Sequence, residues 1–397
     1  MRCLWVHVFI LVIVSTARAD DRAWVRHVID DGLAGADGIR VADVNGDGLP
    51  DLATGWEEGG AIRLCLHPGL AKAKAKWPAV TVGKVASPED AVFVDLDGDG
   101  NIDVVSSCEG KTRSIFFHFA PPRPNILDPK AWQTMPLPAS ATRQWMFCLP
   151  MQVDGKLGID LVCGGKNQSA QIGWFQSPPN PRKTEDWLWH PLRDAGWIMS
   201  LVAADMDGDG DLDILFSDRK GPRSGVYWLE NPTWKEHLID AAGKEAMFLA
   251  RGDLDGDGLE DVVVATRPKD LIWLKRLEKN GDRWEPHRIA IPDEAGTAKG
   301  VAIGDINGDG KPDLVFTCEN ARGKLGAMWL EYQKSPTAEH WTPHDISDKQ
   351  GEKFDLAELI DLDGDGDLDL ITTEERALNA VIWYENPQTP VARAPRP

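Results

Sequence analysis

Seven times along this chain two markers recur in a fixed order, about 53 residues apart, and a period of that length is one propeller blade rather than a helical repeat. The first marker is a tryptophan: Trp24, Trp77, Trp132, Trp187, Trp234, Trp284 and Trp341. Five of these are followed three residues later by a histidine: His27, His190, His237, His287 and His344. The second marker is a run of oxygen-bearing side chains at positions 1, 3, 5 and 9 of a short loop. It reads Asp43, Asn45, Asp47, Asp51, then Asp95, Asp97, Asp99, Asp103, and later Asp205, Asp207, Asp209, Asp213. It returns as Asp253, Asp255, Asp257, Asp261, then Asp305, Asn307, Asp309, Asp313, and last Asp361, Asp363, Asp365, Asp369. The third period has Gln152, Asp154, Lys156 and Asp160 instead, so six loops are complete and one is not.

Short apolar stretches precede each run, such as Ala91 to Val94, and β-branched stretches follow it, such as Val262 to Ala265. A third apolar stretch comes next, as in Val226 to Pro232 or Val381 to Pro387, and the Trp-x-x-His segment supplies a fourth. Four short strands per period with almost no helical periodicity predict an all-β fold, a seven-bladed β-propeller with four-stranded antiparallel blades. The strand order is permuted: the chain opens on Trp24 to Ile29 and ends on Trp383 to Pro387, so the last blade lacks an outer strand and the N-terminus has a spare one. Pairing the two closes the ring and removes exposed sheet edges.

Four carboxylates within a few ångströms repel one another strongly, and a hard cation relieves them. Oxygen ligands at those four positions, a backbone carbonyl at position 7 and a glycine at position 6 make a calcium cage, with little room for the waters magnesium retains. The expectation is about six bound Ca2+ ions, Lys156 standing in for the ion in the third loop. Charge agrees: of 63 acidic side chains 22 are loop ligands, and the 41 left match 41 basic ones, if Arg2 and Arg18 are removed with a leader. The net charge of −20 becomes −22 without those two arginines and is all loop charge, and it disfavours nucleic acid as a partner.

These residues resemble the FG-GAP/VCBS repeat family, calcium propellers that include the integrin head and many exported bacterial proteins. The resemblance spans about residues 22 to 387 and rests on the Asp-x-Asp-x-Asp-Gly-x-x-Asp element. The Phe-Gly and Gly-Ala-Pro pieces that name the family are mostly absent, which points to the bacterial exported branch rather than integrin-like adhesion. The family includes lectins, adhesion modules and sugar-active enzymes, so the resemblance implies no single activity.

Residues 1–19 read as a signal peptide, with an apolar run from Leu4 to Val14 and a cleavage site after Ala19. That run is too short to span a bilayer, and no later segment is a candidate. The expectation is an exported monomer, secreted or periplasmic, with the propeller in 20–387 and a disordered Pro-rich tail in 388–397. Five cysteines remain: Cys65, Cys108, Cys148, Cys163 and Cys318, an odd and scattered set. Cys148 and Cys163 flank one predicted hairpin, in a register expected to put them on opposite faces.

Function is sought where the repeats differ. The histidines recur with the blade and are assigned to structure, as are 12 of the 17 tryptophans. Trp189 falls in an outer strand, whereas Trp56, Trp145 and Trp197 map to the face opposite the loops, where the rings either stack on sugars as exposed platforms or plug the channel mouth. Six residues beyond each loop lie Glu57, Glu109, Lys166, Arg219, Arg267, Glu319 and Glu375. Three adjacent blades thus offer cations and four offer acids, a rim suited to an anionic or polyhydroxyl ligand. The reading is a calcium-stabilised propeller that binds a glycan or a protein partner at that mouth. The alternative is a lyase or dehydratase of uronic or keto sugars, with the basic arc neutralising a carboxylate. No nucleophile elbow or spaced catalytic carboxylate pair is present.

Overall fold

The computed structural model describes residues 24–338 and 340–387. The expected leader and tail lie outside the described residues. Seven four-stranded antiparallel sheets form the blades of a propeller. Within each blade the inner strand comes first, as in Ala36–Ala42, Asp51–Trp56, Ala61–Cys65 and Ala79–Gly83 of the first. The last blade is built from Glu358–Ile360, Asp369–Glu374 and Ala380–Glu385, and its outer strand is Val25–Asp30. Val25 pairs with Glu385 and His27 with Trp383, so the ring closes with the N-terminal strand as its last element. Among the described residues no helix is long and apolar enough to cross a membrane.

The recurring aromatics hold third strands to outer strands. His27, His190, His237, His287 and His344 lie on Trp383, Trp174, Trp228, Trp273 and Trp329, with ring centroids 3.9–4.6 Å apart. The second ring nitrogen of His237 reaches Glu230 and that of His27 reaches Glu385, both at 2.8 Å. Such a stack contributes about 0.5–1.5 kcal/mol beyond its buried area. The pairing also explains the pattern: blades one and two, which lack the histidine, carry Leu64 and Phe117 in place of the tryptophan.

Two expectations about the mouth need correction. Trp56 and Trp145 are not exposed platforms; both are fully buried, Trp56 among Leu52, Trp77 and Trp383, and Trp145 among Phe175, Trp187 and Trp189. The Trp145 indole N–H is spent on the Ser140 carbonyl at 2.8 Å. Cys148 and Cys163 are also not on opposite faces. The residue before each loop pairs with the loop's last aspartate, Met151 with Asp160 here, and counting outward sets Cys148 directly opposite Cys163.

Candidate functional site

Two sets of polar residues sit at opposite ends of the inner strands. At one end are the acidic loops. Each first aspartate bends the loop around itself: Asp95 accepts the N–H groups of Gly98 and Gly100 at 2.9 and 3.1 Å, and Asp205 accepts those of Gly208 and Gly210. The sixth loop residue is left-handed, with φ between 83° and 100° at Gly48, Gly100, Gly210, Gly258, Gly310 and Gly366, which a side chain would disfavour. The ninth-position aspartate is at most 2% exposed in all seven blades and ties the loop to the sheet. Asp213, for example, accepts the Met206 N–H at 2.7 Å and the Asn231 N–H at 2.8 Å. Asp160 keeps both contacts in the incomplete third loop, so position 9 has a structural duty that does not depend on an ion.

The remaining loop carboxylates are suited to a hard cation. Oxygens of Asp95, Asp97 and Asp99 lie within 4.8 Å of one another, as do those of Asp205, Asp207 and Asp213, and of Asp253, Asp255 and Asp261. Buried oxygens of Asp305 and Asp363 have no hydrogen-bond donor. Burial and mutual repulsion push Asp103, Asp313 and Asp369 up to about 7. Asp211 and Asp367 occupy position 7, where sequence reasoning considered only a backbone carbonyl; Asp367 is driven to about 8 and neither of its oxygens finds a donor.

The third loop corrects the expectation for Lys156. Its ammonium touches Asp154 at 3.2 Å, and the side chain is 69% exposed. It is the Gln152 amide that turns inward, donating to the position-5 and position-7 carbonyls of Lys156 and Gly158 at 3.1 and 2.6 Å. Leu157 replaces the left-handed glycine at φ 53°.

At the other end the second strands finish and the inner strands begin, each with a bulge near its start in blades one to six. The bulges aim side chains at the axis. A cavity of about 180 Å³ opens there, lined by Glu57, Glu109, Lys166, Trp197, Arg219 and Glu319 among the residues singled out from sequence. Sequence reasoning missed Asp37, Glu89, Met146, Met199, Lys299 and Asp355, each six residues before its loop. It also missed Phe147, Phe248 and Lys353. Deeper in the channel a second cavity of about 310 Å³ shares Met199 and Phe248 with the first.

The mouth is braced from the second strands. Asp218 accepts the N–H groups of Gly196 and Trp197 at 3.1 and 2.9 Å and pairs with Arg193, which fixes the turn that presents Trp197. Glu374 does the same for Lys353, accepting the N–H groups of residues 352 and 353 at 2.8 and 2.9 Å.

The cationic arc is not free. Lys166, buried, lies between Glu89 at 2.9 Å and Glu109; Arg219 pairs with Glu245 at 2.9 Å; Arg267 contacts Glu319. Across the mouth Lys299 reaches Asp355 at 3.1 Å and Glu375 at 3.3 Å, and Lys353 contacts Glu375. Glu375 is therefore an ion-pair partner below the rim rather than a lining residue, and the two-sided charge division expected from sequence is replaced by interleaved pairs. Trp197 receives three cations over its ring, Lys166, Arg219 and Lys220, at 4.6, 4.8 and 4.3 Å. Two carboxylate triplets here, Asp37 with Glu57 and Glu89, and Asp37 with Asp355 and Glu375, have oxygens within 4.8 Å of one another, and lysines pair with Glu89, Asp355 and Glu375.

Burial and the neighbouring Asp37 push Glu375 up to about 7, against the opposing pull of Lys299 and Lys353. Because the folded state then holds a proton the unfolded chain has released, this group lowers stability as pH rises from about 5 to about 7. Glu375→Gln is expected to flatten that slope relative to the parent in melting scans across this range. Parallel pH profiles for the two proteins would contradict it.

Comparison with known proteins follows the same division. A family model described as an FG-GAP-like repeat matches residues 43–106, 153–216 and 253–316. Each match contains one acidic loop at its start and the next blade's loop near its end, and the second match begins inside the incomplete third loop. No curated protein matches in sequence. Among solved structures, a crystal structure of BBS1N in complex with ARL6DN soaked with mercury is similar at TM-score 0.54 and 12% identity, covering 93% of this chain and 98% of that one. The same complex soaked with lead is similar at TM-score 0.54 and 12% identity, covering 92% and 96%. At that identity the likeness is one of fold.

Proposed function

Taking as premise that this chain is a seven-bladed β-propeller carrying FG-GAP-like repeats, we propose that it is an exported, calcium-stabilised module that binds a neutral glycan at the mouth opposite its acidic loops. The six complete loops would hold Ca2+ through their position 1, 3 and 5 side chains and the position-7 carbonyl, with the ninth aspartate shared between ion and sheet. The ions supply charge neutralisation and rigidity, and no chemistry.

The observation that carries the ligand reading is the two-faced cavity. Met146, Phe147, Met199 and Phe248 bring apolar surface from blades three to five, and Asp37, Glu57, Glu89, Lys299, Lys353 and Asp355 bring polar groups from the other four, while the Trp197 ring is covered by Lys166, Arg219 and Lys220. A pyranose ring has the same two faces, C–H groups on one side and hydroxyls around its edge. Six carboxylates and four cations line the cavity, and Lys166, Arg219 and Lys299 are held in ion pairs. That balance favours hydroxyl donors over a carboxylate, and it weighs against lyase action on uronic sugars, which needs a free cation for the acid group.

A glycan array, with parallel ultraviolet monitoring for unsaturated products, tests this. Capture of neutral glycans without product formation is expected, and capture of uronates alone would overturn it. Arg219→Ala should weaken binding by about tenfold or more with melting nearly unchanged, since it lines the rim, whereas Trp197→Ala should weaken binding and also lower the melting temperature, because its ring packs against the core. Undiminished binding by both variants would move the site to the propeller flank.

A further inference from the structure

In the blade whose acidic loop is incomplete, two cysteines face each other across the strands that the loop joins. Cys148, four residues before the loop, and Cys163, three residues after its last aspartate, are direct cross-strand partners. Their sulfurs are 3.3 Å apart, and the side chains are 4% and 0% exposed. Directly opposed residues of an antiparallel pair have Cβ atoms about 4.5–5.5 Å apart, and the lower end of that range meets the roughly 3.5–4.5 Å a disulfide spans, so closure needs side-chain rotation with at most a small approach of the two strands. The other six blades have no such pair: at the same two positions stand Ile39 and Thr54 in the first, Leu201 and Phe216 in the fourth, and Leu249 and Val264 in the fifth.

We propose that Cys148 and Cys163 form a structural disulfide that clamps the inner hairpin of the third blade, the hairpin with the incomplete cation loop. The reaction is thiol–disulfide exchange with an oxidised thiol oxidoreductase or a low-molecular-weight disulfide. One cysteine thiolate attacks the oxidant's disulfide, the second displaces the mixed disulfide, and the oxidant leaves as two thiols carrying the two protons and two electrons. Burial raises the Cys148 thiol well above its ordinary range, so the exchange belongs to the folding hairpin, before the ring closes over both sulfurs. Cys108 is the competing thiol, close enough across the blade boundary for Cys148 to raise it further. It belongs to the neighbouring sheet and has Pro88 as its strand partner.

The test is refolding of the full chain from denaturant in a mixture of reduced and oxidised glutathione, followed by alkylation of free thiols and peptide mapping without reduction. The expected result is one cross-linked peptide pair joining Cys148 to Cys163, with Cys65, Cys108 and Cys318 alkylated. The oxidised chain should melt several degrees above its reduced form, and Cys148→Ala/Cys163→Ala should abolish that redox-dependent difference. Complete alkylation of Cys148 and Cys163, or a Cys108–Cys148 link, would overturn the proposal. Should the double alanine variant fail to fold, the mapping of the parent alone decides between these outcomes.

Discussion

A chain that starts at Asp37 is expected to lose about 5 kcal/mol or more of folding stability, or not to fold. That truncation removes the strand Val25–Asp30, which is the outer strand of the last blade. It takes away Trp24 and Ile29, buried in two separate core clusters, and the stack of His27 on Trp383. Each large apolar side chain lost from a core costs about 2–5 kcal/mol, and the exposed edge of Ala380–Glu385 would invite pairing between chains. Thermal unfolding of the truncated chain is the measurement. A melting temperature equal to the parent's would mean that ring closure contributes nothing.

Chelation is expected to have an effect of similar size by a different route. An ion that binds only the folded state contributes about 2.7 kcal/mol when its concentration is a hundredfold above its dissociation constant. Three such sites would already match a domain's whole stability of roughly 5–15 kcal/mol. EDTA should therefore lower the melting temperature sharply or unfold the chain, and added calcium should restore it. Gln152→Ala should leave the calcium dependence unchanged, because the third blade holds its loop with an amide hydrogen bond instead. Superimposable melting curves with and without EDTA would contradict the calcium reading.

The architecture was legible because two markers of different chemistry kept one phase. Trp-x-x-His reports the outer strand, the aspartate run reports the turn between the first two, and their order along the chain gives the permuted closure without any tertiary information. The mouth was half legible for the same reason. Residues six beyond each loop end the second strands, so all seven point to one end of the ring. The ring six residues before each loop was missed because it repeats in phase but in no residue type: Asp37, Glu89, Met146, Met199, Met247, Lys299 and Asp355.

Trp56 and Trp145 show the opposite failure, in which a non-repeating residue was equated with an exposed one. Trp145 stands seven residues before its loop, where the other blades place Ala36, Pro88, Ile198, Ala246, Ala298 and Phe354, all buried. Trp56 shares its phase with Cys108, Thr266 and Cys318, also buried. Comparison by phase would have placed both tryptophans in the core. Pairing among charges, by contrast, could not be read from the chain. Whether Lys166 faces a ligand or is held between Glu89 and Glu109 depends on contacts between blades.

The most direct test of the account is metal stoichiometry on the intact chain, freed of loosely held ions by dialysis and analysed by mass spectrometry of the elements. Six calcium ions per chain are predicted, one for each complete loop, falling to five in Asp205→Ala. Seven ions would mean that the third loop binds despite Gln152 and Lys156, and none would mean that the aspartate loops hold the blades together without a cation; either result contradicts the account.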